Sequence, residues 1–300
     1  MRTKFMQWVK RIYWWWVDFI YARQVKRNAW TAEKIAGLKK ESENFKYKPL
    51  ISVIMTVYNI EREWLVRAIE SVLAQVYANW ELCIVDDAST QPHIKEVLRE
   101  YAGADKRIRV KYLEENRGMS GAANEALDMA LGEFTAFMDH DDELSCDSLF
   151  EVVKLLNREQ GADLIYTDED KLTLTGKRVR PVYKSGWDPE LFLTYNYLCH
   201  LVVCRRDLVM KVGGFRKGFE GSQDYDLWLR VTEKTDRVYH IPKVLYHWRM
   251  VPGSAALVVD AKKEAFAKSK QALRDAMKRR GIDAEISDGK KIGTFKKVNK

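Results

Sequence analysis

Apolar runs without polar alternation recur between residues 49 and 139, and a helical pattern follows most of them. The runs "LISVIMTVYN" (50–59), "WELCIVDDAST" (80–90) and "FTAFMD" (134–139) predict strands buried on both faces. Helical spacing appears in "EWLVRAIESVLAQ" (63–75), around 92–102 and in "AANEALDMAL" (122–131). Strands that alternate with helices build a doubly wound, mostly parallel sheet. The sequence therefore predicts a Rossmann-like α/β fold.

The net charge of +8 is confined to one end of the chain. Residues 1–48 carry twelve Lys and Arg against four Asp and Glu, and the remainder is formally neutral. This distribution argues against a nucleic-acid face on the main body and indicates a separate role for the N-terminal arm. The cysteines lack zinc-site spacing, so we expect reduced core residues of a cytosolic protein. They are Cys83, Cys146, Cys199 and Cys204.

The N-terminal arm, residues 1–30, is basic and aromatic. Its longest uncharged apolar run, 12–17, is too short for a membrane span of about 20 residues. Apolar side chains recur at helical spacing, which predicts an amphipathic helix lying in an anionic membrane interface. A helix packed on its own domain or on a partner chain is the alternative. The predicted apolar face consists of Phe5, Trp8, Val9, Ile12, Trp16, Phe19 and Ile20.

Acidic residues follow two of the predicted strands. Asp86 and Asp87 end one strand, and Asp139, Asp141 and Asp142 end another. In doubly wound sheets, ligands bind beyond the carboxyl ends of the strands, so both groups of acids should border one crevice. Carboxylates gathered this closely need a compensating cation or hydrogen-bond donors, and oxygen ligands suit Mg²⁺ or Mn²⁺ shared with a substrate phosphate.

Seven motifs in order between residues 49 and 282 resemble the inverting family 2 glycosyltransferases of the GT-A fold, in particular bacterial O-antigen and rhamnan-type sugar transferases. They are "ISVIMTVYN", "SVLAQVYANWELCIVDDAST", "ENRGMSGAANEAL", "GEFTAFMDHDDEL", "GGF", "GSQDYDLWLR" and "LYHWR". The resemblance implies a GT-A domain over 49–282. A helix over 1–30 and a linker over 31–48 precede this domain, and a basic tail over 283–300 follows it.

The resemblance also implies roles for the acids. "DHD" (139–141) is similar to the DXD motif, which makes Asp141 a metal ligand and Asp139 its support near the donor ribose. An acidic N-cap for the next helix is the alternative reading, and it fits Asp142 or Asp147. The nucleotide pocket would consist of Thr56, Tyr58, Asp86 and Asp87, with Arg117 near the phosphates or the base. A carboxylate can accept the imide N–H of a pyrimidine, which favours UDP or dTDP donors.

The catalytic base implied by the resemblance is Asp224, although Gln223 stands where the family has a glutamate. Asp224 would take the proton from the acceptor hydroxyl as that oxygen displaces the diphosphate with inversion. A first-turn helix acid is its structural alternative. His247 in "LYHWR" is similar to a further metal or diphosphate contact, or else is a core histidine. "TDEDK" (167–171) is expected either beside the acceptor pocket or in a solvated loop.

The resulting expectation is a cytoplasmic enzyme bound peripherally to the inner face of the bacterial cytoplasmic membrane. It would transfer a sugar, with rhamnose suggested by likeness, to a lipid-linked saccharide beside polysaccharide-assembly proteins. A catalytically inactive GT-A module used in binding is one alternative. A sugar nucleotidyltransferase is another, although the first strand is followed by "TVYNIERE" (56–63) rather than a Gly-rich basic loop.

Overall fold

The computed structural model describes residues 2–251 and 259–299, and within them the side chains except those at 2–5, 7, 9, 10, 259–262 and 299. The helices are α1 (Arg2–Arg27), α2 (Ala32–Glu43), α3 (Arg62–Leu73), α4 (Pro92–Ala104), α5 (Gly118–Met129), α6 (Ser148–Arg158), α7 (Pro189–Phe192), α8 (Arg206–Lys211), α9 (Gln223–Val231) and α10 (Val259–Arg279). The strands are β1 (Ile51–Val57), β2 (Trp80–Asp86), β3 (Ile108–Tyr112), β4 (Phe134–Asp139), β5 (Glu143–Leu144), β6 (Leu164–Leu172), β7 (Arg178–Val182), β8 (Val202–Arg205), β9 (Val238–Arg249), β10 (Ala284–Asp288) and β11 (Phe295–Asn299).

The main sheet has the strand order β3-β2-β1-β4-β8-β6-β9-β5, and β7 pairs with β6. Strands β3, β2, β1 and β4 are parallel, β8 is antiparallel to both of its neighbours, and β6 and β9 are again parallel. The predicted mostly parallel α/β sheet is therefore confirmed. Strand β1 pairs Val57 with Asp86 of β2 and Thr56 with Asp139 of β4, so the two acidic strand ends flank one strand.

Apolar side chains cover both faces of the sheet. Helices α3, α4 and α6 bury one set on one face, whereas α5, α9 and α10 bury the other set. Alternate residues of β1 divide between the layers, with Val53 and Met55 on one side and Ile54 on the other. This two-sided burial explains why the strand sequence lacks polar alternation.

Residues 31–48, predicted as a linker, instead contain helix α2. Thr31 caps the helix by accepting a hydrogen bond from the Lys34 amide at 3.2 Å. Ile35 and Leu38 pack against the core beside α6, and the Tyr47 amide donates to Asn157 Oδ1 at 3.0 Å. The high Lys and Glu content reflects the exposed side of a short packed helix.

The N-terminal helix α1 exposes aromatic rings around its circumference rather than along one face. The side chains of four consecutive residues, Tyr13 to Trp16, are between 41% and 60% exposed. Since successive helical residues are about 100° apart, these rings cannot share one side. The predicted members Phe5 and Val9 lie outside the described side chains. Among the described residues, no helix combines the length and apolar character needed to cross a membrane.

The last turns of α1 dock on the strand β7. The Tyr21 side chain is buried, and its hydroxyl donates to Asp170 Oδ2 at 2.6 Å. The Asp18 carboxylate accepts the Arg180 amide at 2.8 Å. These contacts fix the helix to the sheet at its C-terminal end, while the ring-bearing part extends away from the contact.

The predicted basic tail, 283–300, contains the antiparallel pair β10 and β11. Ile286 and Phe295 are buried against α10, and the Phe295 amide donates to the Thr194 carbonyl at 2.7 Å. Two inward apolar residues thus attach a Lys-rich hairpin to the body. All four cysteines are free, and Cys83 and Cys204 are buried.

Candidate active site

Asp86, at the end of β2, has one carboxylate oxygen without a structural partner. The residue is fully buried, and its Oδ1 accepts the Ser89 amide at 3.1 Å. Its Oδ2 is buried and finds no hydrogen-bond partner among the described residues. Because a buried charged oxygen is costly to leave unpaired, this atom is ready to accept a hydrogen bond from a ligand.

Asp87 contacts the loop before α5 through its carboxylate and its carbonyl. Its Oδ1 accepts the Arg117 amide at 2.7 Å, and its carbonyl accepts from Asn116 Nδ2 at 3.1 Å. The Arg117 guanidinium instead reaches Glu125 Oε1 at 2.5 Å. Asp87 therefore orders the loop before α5, and the Arg117 side chain lies along that helix.

Thr56 and Tyr58 lie at the carboxyl end of β1, as the sequence predicts. Thr56 is partly buried, and its carbonyl is hydrogen-bonded to His140 Nδ1 at 2.7 Å. Tyr58 is 47% exposed at the mouth of the crevice. The sequence-predicted residues of the nucleotide pocket are thus carried by adjacent strand ends.

The acids that follow β4 differ sharply in environment. Asp139 is exposed, whereas Asp142 is fully buried and accepts from the Tyr246 hydroxyl at 2.6 Å and the Arg249 amide at 2.7 Å. Burial raises the pKa of Asp142, and the neighbouring Asp141 and Asp139 raise it further. Asp142 joins β4 to β9 and does not cap a helix.

Within the described part of the chain, one set of side chains could hold a metal ion: Asp139, Asp142 and His200, whose ligand atoms lie within 4.8 Å of one another. Asp142 already uses both oxygens, so Asp139 and His200 offer the available atoms, 3.9 Å apart. An exposed carboxylate beside an imidazole suits Mn²⁺, and the residues present fit such an ion. The predicted ligand Asp141 is partly buried next to this set, and burial raises its pKa.

His247 faces a different group of residues. Its Nδ1 is hydrogen-bonded to Asp170 Oδ1 at 2.7 Å, and its side chain is buried. Alternate residues of a strand point to opposite faces, and the adjacent Tyr246 is the one that reaches Asp142. The structure therefore separates His247 from the acids with which the sequence predicts a shared metal. His200 lies beside Asp139, with its Nε2 3.9 Å from the Asp139 Oδ2.

Asp224, the predicted base, lies in the first turn of α9 and is partly buried. Asn196 Nδ2 donates to its Oδ2 at 2.7 Å. Burial raises the pKa of Asp224, while the nearby His200 lowers it and Asp139 raises it. Asp224 and the acids after β4 are thus close enough to influence each other around His200.

Asp226, two residues further on, has a structural role. Its carboxylate is fully buried and accepts from Arg216 Nε at 3.0 Å and from Arg230 Nη2 at 2.7 Å. Ser222 directly precedes α9, but its hydroxyl donates to the Ala265 carbonyl at 2.6 Å rather than capping the helix. This segment is therefore tied to α10, whereas Asp224 remains on the crevice side.

Sequence reasoning missed a row of buried acids on β6, in "TDEDK". The solvated-loop reading is wrong, because Asp168, Glu169 and Asp170 are nearly or fully buried in a strand. The available signal was the following run of cations, since buried carboxylates need partners. Asp168 pairs with His240 at 2.8 Å, and Asp170 with Arg178 at 2.6 Å.

Glu169 is the member of this row that supports the crevice. Its carboxylate lies 3.1 Å from Lys184 Nζ and 3.4 Å from Lys171 Nζ, and it accepts the His200 amide at 3.2 Å. Burial opposes ionisation of Glu169, but the charge of Lys184, followed by that of Lys171, lowers its pKa to about 2. An ionised carboxylate therefore holds the backbone of His200 in place.

With the fold and crevice described, sequence comparison identifies the family. Residues 52–213 match the family model described as Glycosyl transferase family 2, and the chain belongs to this family. It is 47% identical over 233 residues to the uncharacterized protein y4gI of Sinorhizobium fredii, covering 77% of this chain and 26% of that protein. It is 36% identical over 266 residues to the O-antigen biosynthesis protein RfbC of Myxococcus xanthus, covering 89% of this chain and 20% of that protein. The chain therefore spans about a quarter or less of these relatives.

Solved structures agree on the fold. S. aureus TarS 1-349, crystallised with UDP-GlcNAc, matches with a TM-score of 0.59 at 19% identity, covering 77% of this chain and 72% of that one. The mannosyltransferase PcManGT of Pyrobaculum calidifontis, in complex with GDP-Man and Mn²⁺, also gives 0.59 at 18% identity, covering 81% and 72%. At these identities the likeness establishes the GT-A fold alone, and the predicted fold class is confirmed.

The depressed pKa of Glu169 predicts a pH-dependent stability. Replacement of Glu169 by Gln should lower the free energy of unfolding at neutral pH by about 3 kcal/mol, because the ionised form is favoured in the folded state. The difference should be fully present above pH 4.5 and should shrink as the pH falls towards about 2. Urea unfolding between about pH 7 and pH 3.5 measures it.

The exposed Glu115 provides the control, since Glu115→Gln should change stability little at any pH. If the free energies of unfolding of wild type and Glu169→Gln differ by the same amount at every pH tested, Glu169 is not held ionised by its partners.

Proposed function

We propose that this chain is a metal-dependent, inverting glycosyltransferase that moves a sugar from a UDP- or dTDP-sugar to a saccharide acceptor. The observation that carries the proposal is that His200 lies near both a donor-side acid, Asp139, and the proposed base, Asp224. The His200 ring lies 3.9 Å from Asp139, at the donor strand ends, and its proximity lowers the pKa of Asp224 at the start of α9. A transferase needs this combination, since donor phosphates and an acceptor hydroxyl must come together.

The nucleotide is proposed to bind across the ends of β1 and β2. The unpaired Oδ2 of Asp86 would accept the imide N–H of uracil or thymine. Purine bases have no imide N–H. Thr56, Tyr58 and Asp87 would border the base, and Arg117 would contribute the amide that orders its loop. The fold does not itself choose the nucleotide, because its solved relatives carry both UDP-GlcNAc and GDP-Man.

Mn²⁺ or Mg²⁺ would be held by Asp139 and His200, with Asp141 as a further oxygen ligand. When bound, such an ion supplies charge neutralisation to the departing nucleoside diphosphate. Asp142 stays with Tyr246 and Arg249 and keeps the backbone of residues 139–142 in place. We do not include His247, because its ring nitrogens lie outside the group of ligand atoms that Asp139, Asp142 and His200 form.

Asp224 is proposed as the general base. Asn196 fixes its Oδ2 and leaves the other oxygen to accept the proton of an acceptor hydroxyl as that hydroxyl attacks the anomeric carbon. Burial raises the pKa of this carboxyl, which makes the carboxylate a stronger base. The presence of Asp224 and the unpaired oxygen of Asp86 favour an active transferase over an inactive binding module.

The acceptor is proposed to be lipid-linked, as part of bacterial surface polysaccharide assembly on the cytoplasmic face of the membrane. The O-antigen role printed for RfbC supports the polysaccharide, and the exposed rings of α1 support the membrane. Indoles favour the headgroup region, and the cations of the arm would attract anionic lipids. The docked C-terminal end of α1 would then hold the crevice near the membrane surface.

Nucleotide binding tests the donor site. Titration calorimetry with UDP, dTDP and GDP, each with and without Mn²⁺, should give metal-enhanced binding of a pyrimidine diphosphate. The Asp86→Asn substitution replaces an acceptor oxygen with an amide and should weaken that binding by about tenfold or more. The exposed Asp207 gives the matched control, Asp207→Asn, which should bind as wild type does. Absence of binding by any nucleotide to the folded protein would support the inactive module.

Catalysis tests the base. Asp224→Asn should lower sugar transfer, followed as release of the nucleoside diphosphate from its sugar nucleotide, about 10²- to 10⁴-fold without changing nucleotide affinity. Asp226→Asn should instead lower stability, since it weakens a buried pair with Arg216 and Arg230. A wild-type release rate in Asp224→Asn, measured with the same donor, would remove Asp224 from the mechanism.

Vesicle sedimentation tests the membrane role of α1. Binding should be stronger to vesicles of phosphatidylglycerol and phosphatidylcholine than to phosphatidylcholine alone, and it should weaken with salt. Combined replacement of Trp14, Trp15 and Trp16 by Ala should reduce it about tenfold or more. Trp30→Ala, which removes an exposed indole outside α1, is the control. Equal binding by the triple variant would indicate that these rings serve a protein partner.

A further inference from the structure

The loop that joins β10 to β11 presents an apolar side chain to solvent. Ile292 is 86% exposed, a larger fraction than that of any described ring on α1. Single exposed apolar residues are common on protein surfaces, so exposure alone identifies nothing. Here, however, the residue stands among cations, in the stretch "GKKIGTFKK" (289–297). The tip of the hairpin therefore combines an exposed apolar side chain with positive charge.

The loop is held in one shape by its own hydrogen bonds. The Gly289 amide donates to the Thr294 carbonyl at 2.7 Å, and the Lys291 carbonyl accepts from the Thr294 amide at 3.1 Å and from its hydroxyl at 2.7 Å. Gly293 has a φ of 79°, and a Cβ atom there would lie 2.7 Å from the Phe266 ring of α10. A loop that is already ordered loses little conformational entropy when its tip binds a partner.

The lysines beside Ile292 carry charge that no described residue neutralises. Lys290 and Lys291 are exposed, and they take part in no ion pair within residues 2–251 and 259–299. The nearest acid in the sequence, Asp288, lies 2.9 Å from Lys270 of α10 and is compensated there. The tip therefore keeps a local positive charge, which attracts a partner of opposite charge.

An anionic lipid surface meets both features of the tip at once. Cations near such a surface are attracted to the headgroups, and an apolar side chain beside them enters the boundary between headgroups and acyl chains. A soluble anion would meet the lysines but leave the isoleucine in water. A wholly apolar partner would bury the lysines without a counter-charge, which is costly.

The hairpin and α1 attach to adjoining segments of the body. The Phe295 amide of β11 donates to the Thr194 carbonyl at 2.7 Å, and the next residue, Tyr195, lines one cavity together with Tyr183. Tyr183 directly follows β7, the strand on which α1 docks. Two elements that combine cations with exposed apolar side chains are therefore linked through one stretch of surface, which favours lipid over an unrelated protein partner.

We propose that the tip of the β10–β11 hairpin is a second membrane-contact site, in which Ile292 enters the headgroup region of an anionic bilayer and Lys290 and Lys291 bind lipid phosphates. The inference goes beyond the membrane role proposed for α1 and does not depend on it, because the hairpin is a separate element. Two separate contacts would also fix the orientation of the crevice towards the membrane, whereas a single contact leaves the body free to rotate.

Vesicle sedimentation of the full chain tests the site, with vesicles of equal parts phosphatidylglycerol and phosphatidylcholine. Combined replacement of Lys290 and Lys291 by Gln should weaken binding about tenfold or more, because each lysine near an anionic surface contributes about fivefold. Ile292→Ala should weaken binding about fivefold, since it removes apolar surface from the interface. All three side chains are exposed, so urea unfolding of these variants should match that of wild type.

Control variants carry the same changes at other exposed positions. Lys95 and Lys106 are exposed lysines with no ion pair among the described residues, and Leu131 is 72% exposed just before β4. Combined replacement of the two lysines by Gln, and Leu131→Ala, should leave vesicle binding as in wild type. These controls separate a defined contact at the hairpin from a general loss of charge or apolar surface.

The outcomes distinguish the hairpin from α1. Weaker binding by the hairpin variants supports the site, even if the variant without Trp14, Trp15 and Trp16 binds as wild type does and the role of α1 falls. Hairpin variants that bind as wild type does, while the triple tryptophan variant loses binding, overturn the site and leave α1 intact. Equal losses in the hairpin and control variants also overturn it. If wild type does not sediment with anionic vesicles, both membrane proposals fail.

Discussion

The three consecutive carboxylates of β6 are the interaction on which the second half of the molecule depends. Asp168 and Asp170 bind His240 and Arg178, whereas Glu169 binds Lys184, so one short segment anchors several surrounding elements. Removing one partner from a buried ion pair costs about 3–5 kcal/mol, because the remaining charge stays in a poorly solvated place. Three buried carboxylates in sequence therefore hold β7, β9 and α1 around β6.

The same row of charges links the crevice to the N-terminal helix. Glu169 holds the His200 amide on the crevice side, while Asp170 accepts from the Tyr21 hydroxyl of α1 and from Arg178. Burial, followed by the charge of Asp170, raises the pKa of Tyr21, so this phenol remains a proton donor to the carboxylate. The helix with the exposed rings is thus attached to the same strand whose Glu169 holds the backbone of His200, a proposed metal ligand.

The part of the site that lies at the ends of strands β1, β2 and β4 could be predicted from sequence, because these strands alternate regularly with helices. Strands β1, β2 and β4 have continuous apolar runs, and the acids after them, including Asp86 and Asp139, follow directly. The β6 acids could not be predicted, because charged residues inside a strand contradict its hydrophobic signal until their partners are known. The contacts of His200 with Asp139 and of Asn196 with Asp224 could not be predicted for a related reason, since they join chain segments far apart in sequence. Helix α2 was missed because a short packed helix can be mostly polar.

The pairing of Asp142 with β9 also orders events during synthesis of the chain. The strand ends that carry Asp86 and Asp139 belong to a parallel unit whose members are all made before residue 140. Asp142 meets the Arg249 amide only across 107 residues, and Tyr21 meets Asp170 across 149. Contacts this distant form late, because their loop-closure entropy must be overcome first. A chain emerging from the ribosome can therefore assemble the nucleotide half first, and the acids after β4 acquire their final spacing only when β9 arrives.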